Sequence, residues 1–219
     1  LKDIEETQDL KLMPLRYHKD RLLRTADFSL RYCDAAANAV RNVTFELKNG
    51  DRIALDGANG CGKTSLVKAI LACNKDGEAV SSDYKTTGIL EVPQNLIISY
   101  ISQDTSHLKG SLRDFAREKR LDYTLLLALL RQLDFERVLF DKDMELYSEG
   151  QKKKVLIASS LLTPAHLYIW DEPLNYIDVY TRMQIEKLLL AFQPTMLFVE
   201  HDVRFKETIA TGVLHMERN

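Results

Sequence analysis

The chain has 219 residues, 45% of them hydrophobic and 28% charged, with a formal net charge of -2. That is enough chain for one large α/β domain or two small lobes around a sizeable core. The near-neutral balance excludes bulk attraction to nucleic acid and leaves a local basic patch as the only electrostatic route to it.

No apolar run approaches the roughly 20 residues of a membrane-spanning helix; the longest candidates lie around Leu125–Leu130 and Val155–Leu162. Cys33, Cys61 and Cys73 are scattered, with no metal spacing or disulfide framework, and point to a reducing, cytoplasmic location. No signal peptide is visible, and a chain that opens on Leu1 reads as a piece of a longer protein.

Residues 1 to about 25 mix Lys, Arg, Asp and Glu, with Pro14 breaking any long helix; they read as a tether or as a frayed terminus. Phe28–Tyr32 and Val43–Leu47 alternate as strands do, and Asn49-Gly50-Asp51 is a hairpin signal leading into a buried strand, Arg52–Leu55. Then comes Gly57-Ala58-Asn59-Gly60-Cys61-Gly62-Lys63-Thr64, which fits the phosphate-loop pattern G-x-x-x-x-G-K-[ST] without a mismatch. Glycines let backbone N–H groups approach a polyphosphate, Lys63 places a compact charge near its end, and Thr64 offers a hydroxyl to Mg2+. The flanking strand and the helix Thr64–Leu71 are the context that binds phosphate. Cys61 reads as a small filler of that loop.

A polar stretch from Asn74 to Gly88 precedes strand candidates Gly88–Val92 and Leu96–Ile101, the second running into Ser102-Gln103-Asp104. From Ser111 to about Leu139 the pattern is helical, with Ser111 and Asp122 as N-caps and a leucine stripe read as plain core. Ser148 caps an amphipathic helix, Lys152–Leu162, with Glu149 complementing its dipole. Ala165–Trp170 is a buried strand ending in Asp171-Glu172-Pro173. A helix Thr181–Phe192 follows, then a strand Thr195–Val199 ending in Glu200-His201-Asp202, a last helix capped by Asp202, and a closing strand at Val213–Met216.

This order predicts an α/β fold with a mainly parallel sheet, an antiparallel opening and an inserted helical lobe at about 108–162. Ligands in such folds bind at the strand carboxyl ends. Asp171 and Glu172 stand there, and two acids ending a buried strand are poorly explained by packing, because unpaired buried carboxylates are costly. Asp171 can hold Mg2+ through water, Gln103 can coordinate the ion or orient water, and His201 can donate to a terminal phosphate.

From residue 26 to the end, the succession of phosphate loop, Gln103, Ser148-Glu149-Gly150-Gln151, Asp171-Glu172 and His201 resembles the ATP-binding cassette ATPases, a branch of the P-loop NTPases. The resemblance implies that Gly57, Ala58, Asn59, Gly60, Cys61, Gly62, Lys63, Thr64 and Ser65 bind ATP. Thr64, Gln103 and Asp171 then hold Mg2+, Glu172 is the general base, and Gln103 and His201 are the Q-loop and switch residues. Tyr32 matches the aromatic that stacks on adenine, with Phe28 as a nearby alternative. Asn175-Tyr176-Ile177-Asp178 matches the D-loop. Ser148, Gly150 and Gln151 match the signature motif, which in the family contacts ATP held by a partner cassette. Two cassettes therefore close head to tail, and an isolated one hydrolyses ATP weakly.

Two departures narrow the resemblance. The signature carries Glu149 where glycine is common, adding a charge near a triphosphate-facing helix start, and the D-loop opens on Asn175 rather than serine. The second feature resembles the ABC-F class, soluble two-cassette proteins of which many bind the ribosome. The Ser148–Lys154 and Trp170–Tyr176 runs resemble the C-terminal cassette of its ribosome-protection, antibiotic-resistance branch. Residues 1–25 would then end the interdomain linker. Lys152-Lys153-Lys154 reads as a solvated helix face or as a contact to ribosomal RNA phosphate, the first being preferred. The alternative function is the ATPase subunit of a membrane transporter, which Asn175 disfavours. A nucleotide-gated binding module with little turnover is a third, which Glu172 disfavours.

Overall fold

The computed structural model describes residues 14–79 and 81–217. The chain builds two sheets. Strands β1 (Arg21–Tyr32), β2 (Val40–Lys48) and β4 (Tyr84–Glu91) form an antiparallel sheet in the order β2-β1-β4. Strands β3 (Arg52–Asp56), β5 (Ile98–Ile101), β6 (Leu167–Asp171), β7 (Met196–Val199) and β8 (Gly212–His215) form a parallel sheet in the order β5-β6-β7-β3-β8. Helix α1 (Lys63–Asp76) follows β3. Helices α2 (Leu112–Glu118), α3 (Tyr123–Gln132) and α4 (Glu149–Leu162) lie between β5 and β6, and α5 (Val179–Phe192) and α6 (Val203–Ile209) flank β7.

The central strands are buried on both faces, which is why they read as unbroken apolar runs. Along β6, Tyr168 and Trp170 join a core shared with α2–α5, while Leu167 and Ile169 join a second core with α1 and the antiparallel sheet. Strand β7 divides the same way, Met196 and Phe198 against Leu197 and Val199. A buried hydroxyl chain ties the helical lobe to the sheet. The Trp170 indole N–H donates to Ser160 Oγ at 2.9 Å, and Ser160 and Ser99 share a hydrogen bond at 2.7 Å.

Three local expectations change. Asn49-Gly50 is a turn but not a hairpin: β2 pairs with β1, whereas β3 pairs with β7 and β8, so the turn hands the chain from one sheet to the other. The segment ahead of β1 is pinned rather than loose from Leu15 onward. Leu15 N–H donates to the Ala165 carbonyl at 2.9 Å, and Tyr17 is buried with its hydroxyl on Asn95 at 2.9 Å. The remainder of the expected tether, residues 1–13, lies outside the described residues. Helix α4 is not amphipathic, because every residue from Lys153 to Leu161 is buried between lobe and sheet.

Ser111, Asp122, Ser148 and Asp202 each accept a hydrogen bond from a backbone N–H three residues on, as N-caps do. Asp178 caps α5 in the same manner. Its carboxylate accepts from the Thr181 N–H at 2.8 Å and hydroxyl at 2.7 Å, and pairs with Lys154 at 3.0 Å. Burial works to raise its pKa, but these partners outweigh burial and bring it from 3.8 down to about 2. The pKa is depressed on folding, so this stabilisation is complete above 3.8 and is lost as the pH falls toward 2. Asp178→Ala is expected to lower the unfolding free energy by about 1–2 kcal/mol at neutral pH. Asp178→Asn, which keeps a capping oxygen and gives up only the ion pair of the half-exposed Asp178 carboxylate with the buried Lys154, is expected to lose less. Urea titrations at neutral and acid pH check this, and a wild-type advantage that persists undiminished in acid would contradict it.

Candidate functional site

The carboxyl ends of β3, β5, β6 and β7 converge on one edge of the parallel sheet. Strand β3 feeds the loop Gly57–Gly62, which ends at the start of α1. Gly62 has φ +95°, and a Cβ there would stand 1.9 Å from the Ala39 carbonyl oxygen, so only glycine fits. The Lys63 side chain lies over the loop and donates to the carbonyls of Gly57 at 2.7 Å and Ala58 at 3.1 Å. Cys61 is buried beneath it, in the filler role expected.

Asp171, at the end of β6, is fully buried and uses both oxygens. Thr64 Oγ1 donates to Oδ2 at 2.9 Å, and Gln103 Nε2 donates to Oδ1 at 3.1 Å. Burial pushes the Asp171 pKa up, and these two bonds pull against it. Hydroxyl, carboxamide and carboxylate are the hard oxygen donors that Mg2+ takes. No group of three or more His, Cys, Asp or Glu side chains able to hold a metal occurs among the described residues. A hard cation beside Asp171 would therefore draw further ligands from phosphate and water, as Mg2+ at nucleotide sites does.

Glu172 follows at φ +52°, a left-handed conformation held by its N–H on the Val199 carbonyl at 3.0 Å. Its carboxylate is gripped from two sides, by Asn175 Nδ2 at 2.8 Å and by His201 Nε2 at 3.3 Å. Glu200 holds the backbone of His201 and of Leu174, the residue before Asn175: its buried carboxylate accepts from the N–H groups of Leu174 at 2.8 Å and His201 at 3.1 Å. Burial raises the Glu200 pKa against those bonds. A glutamate side chain held beside His201 at a strand end is suited to accept a proton from water.

Tyr32 sits beside the start of α1, sharing a hydrogen bond with Ser65 Oγ at 3.1 Å and packing edge-on to Tyr84. Phe28 is fully buried in the core and offers no face for stacking.

The structure thus brings Gly57–Thr64, Gln103, Asp171, Glu172 and His201 into one constellation, with Tyr32 and Ser65 alongside. Ser148, Gly150, Gln151 and Asp178 form a separate one. Ser148 and Gln151 close a capping box on each other, at 2.9 and 3.3 Å. Gly150 lies flush against the D-loop, where a Cβ would meet the Tyr176 carbonyl at 2.5 Å. No hydrogen bond or ion pair among the described residues joins Ser148–Gln151 to the Gly57–Thr64 loop.

The lysine triplet is neither a solvated face nor a free basic patch. Lys152 pairs with Glu149 at 3.2 Å. Lys153 donates to the carbonyls of Ser102 and Gln103, both at 3.1 Å, and Lys154 reaches Asp178 and the Asp134 carbonyl. Glu149 is likewise engaged: the Thr105 hydroxyl at 2.7 Å and Lys152 hold its carboxylate, and they lower its pKa in that order. The sequence pointed to Lys153 only as part of a solvated or RNA-facing triplet, and did not point to Thr105 at all. The only available signal was that Glu149 and Lys153 stand four residues apart on one helix face.

The family model of the ABC transporters matches residues 40–175. The chain belongs to this family and is an ABC-type ATPase cassette. Its solved neighbours agree on the fold: a dimeric bacterial ABC transporter cassette superposes with a TM-score of 0.67 at 18% identity, over 89% of this chain and 94% of that one. Its sequence relatives include a member of the ABC transporter F family. The ATP-binding protein Uup of Buchnera aphidicola is 27% identical over 100% of this chain, and ABC transporter F family member 5 of Arabidopsis thaliana is 26% identical over 81% of it. The chain spans only 36% and 25% of those two relatives' lengths. No helix among the described residues is long and apolar enough to cross a membrane.

Proposed function

We propose that this chain is the ATP-hydrolysing cassette of a cytoplasmic ABC-F protein that acts on the ribosome, with protection against ribosome-targeting antibiotics as its role. The observation that carries the reading is Glu172, held between His201 and Asn175 one residue after the buried Asp171. It supplies a placed base for hydrolysis, and its asparagine partner is the D-loop feature that resembles the ABC-F class. In this reading Gly57–Thr64 and Ser65 bind the ATP phosphates and Tyr32 meets the adenine. Thr64, Gln103 and Asp171 hold Mg2+, which when bound offsets phosphate charge. Glu172 takes the proton of the attacking water, and His201 fixes the carboxylate. Ser148, Gly150, Gln151 and Asp178 face a second cassette, whose nucleotide completes the pair of sites.

The test is co-sedimentation of full-length Glu172→Gln protein with ribosomes. Enrichment in the pellet with ATP but not ADP is expected, reduced or reshaped by an antibiotic that occupies the same ribosomal site. Equal pelleting with either nucleotide overturns the ribosomal role and returns the transporter-subunit reading.

A further inference from the structure

The signature departure noted above, Glu149, has a physical use. Glu149 and Lys153 lie one turn apart on the same face of α4, and both reach the irregular segment that follows β5. Glu149 accepts from the Thr105 hydroxyl at 2.7 Å, and the Lys153 ammonium donates to the consecutive carbonyls of Ser102 and Gln103 at 3.1 Å each. The far end of that segment's bonding is the Gln103 carboxamide on Asp171.

Lys153 is 3% exposed and, among the described residues, has no carboxylate within ion-pair distance. Burial depresses its pKa, while the charges of Asp171, Glu172, Glu149 and Glu200 act to keep it protonated. Burying an ammonium as packing alone is costly, and methionine would fill the space at lower cost. The bonds it makes are therefore what the position gains. A loop without a ladder of its own opens readily unless side chains tie it down.

We propose that Glu149 and Lys153 are positioning residues that clamp Ser102–Thr105 and thereby hold Gln103 against Asp171, coupling the signature helix to this chain's own catalytic loop. The proposal rests on the ATPase reading above. The turn that carries Ser148 and Gly150 also carries Glu149, so a displacement of the α4 N-terminus is passed to Gln103 through these contacts rather than through the sheet.

The test compares full-length wild-type protein with Lys153→Met, which keeps the apolar stem, and the milder, near-isosteric Thr105→Val, which removes the donor to Glu149. Amide exchange of residues 102–106 without nucleotide should quicken roughly tenfold in Lys153→Met, the equivalent of one lost hydrogen bond. With Mg2+ and ATP, kcat should fall about tenfold to a hundredfold while KM for ATP stays within about twofold, because Gln103 is displaced and the phosphate loop is not. The Mg2+ concentration for half-maximal rate should rise. Thr105→Val should move each readout in the same direction by less. Unchanged exchange in both variants overturns the clamp. Faster exchange with unchanged kcat, or a parallel loss of kcat, KM and thermal midpoint, overturns the positioning role. A wild-type protein without ATPase activity would overturn the ATPase reading instead, and the exchange comparison would still decide the clamp.

Discussion

Glu172→Gln is expected to slow ATP hydrolysis by about a hundredfold to ten-thousandfold, the usual share of a placed general base. The substitution is nearly isosteric. A glutamine oxygen can still accept from Asn175, and the side chain can still meet His201, so the turn after β6 is preserved. What disappears is the group that accepts a proton from water. The charge removed lies beside Asp171 and next to where a triphosphate would be held, so ATP binding should not weaken and is expected to tighten. The result to look for in single-turnover kinetics is therefore a low rate at undiminished nucleotide occupancy. A rate within a few-fold of wild type would remove Glu172 from the base role, and with it the account of why Asn175 and His201 converge on that carboxylate.

Lys63→Ala is expected to act on the other half of the problem and weaken ATP binding by about tenfold to a hundredfold. That is the arithmetic of losing one charge-assisted contact of roughly 1.5–3 kcal/mol. The Lys63 ammonium rests on the Gly57 and Ala58 carbonyls, so it is already oriented across the mouth of the loop, and little ordering remains to oppose binding. The loop's shape should survive the change, since it is set by glycines such as Gly62 and by the packing of Cys61. Lys63→Arg should not restore affinity, because a planar fork cannot replace a compact point charge in the same space. Calorimetric titration with a non-hydrolysed ATP analogue measures it, and an affinity within about twofold of wild type would contradict the assignment of Gly57–Thr64. The two variants together separate gripping the nucleotide from spending it.

Much of the site was legible in the linear chain. The phosphate loop declares itself through glycine spacing and a single lysine. Asp171, Glu172 and His201 declare themselves as polar residues closing apolar runs. The caps Ser111, Asp122, Ser148 and Asp202 were also readable, because a cap bonds only three residues away. In each case the controlling interaction is short-ranged, so neighbours in sequence are the neighbours that matter.

Other features depended on where distant segments meet. The charge on Lys152-Lys153-Lys154 pointed to water or RNA, because a lysine in a helix reads as solvated until something supplies buried acceptors. Those acceptors are carbonyls of the segment after β5 and at Asp134, beyond the reach of any local pattern. The Asn49-Gly50 turn read as a hairpin because turn chemistry does not encode which sheet the next strand joins; that is settled by β3 pairing with β7 and β8. The segment from Leu15 read as loose because its anchors, Ala165 and Asn95, lie far along the chain.

By itself, then, the sequence determined the chemistry available at each strand end and the N-caps at which several of the helices start. Only the tertiary structure decided which charges are buried and which partners they meet. It bonded Thr64 and Gln103 to one carboxylate, turned Glu149 onto Thr105, and kept the Ser148–Gln151 turn apart from the Gly57–Thr64 loop. Desolvation and hydrogen bonding are properties of a surrounding volume, and that volume exists only once the two sheets and the helical lobe have closed on each other.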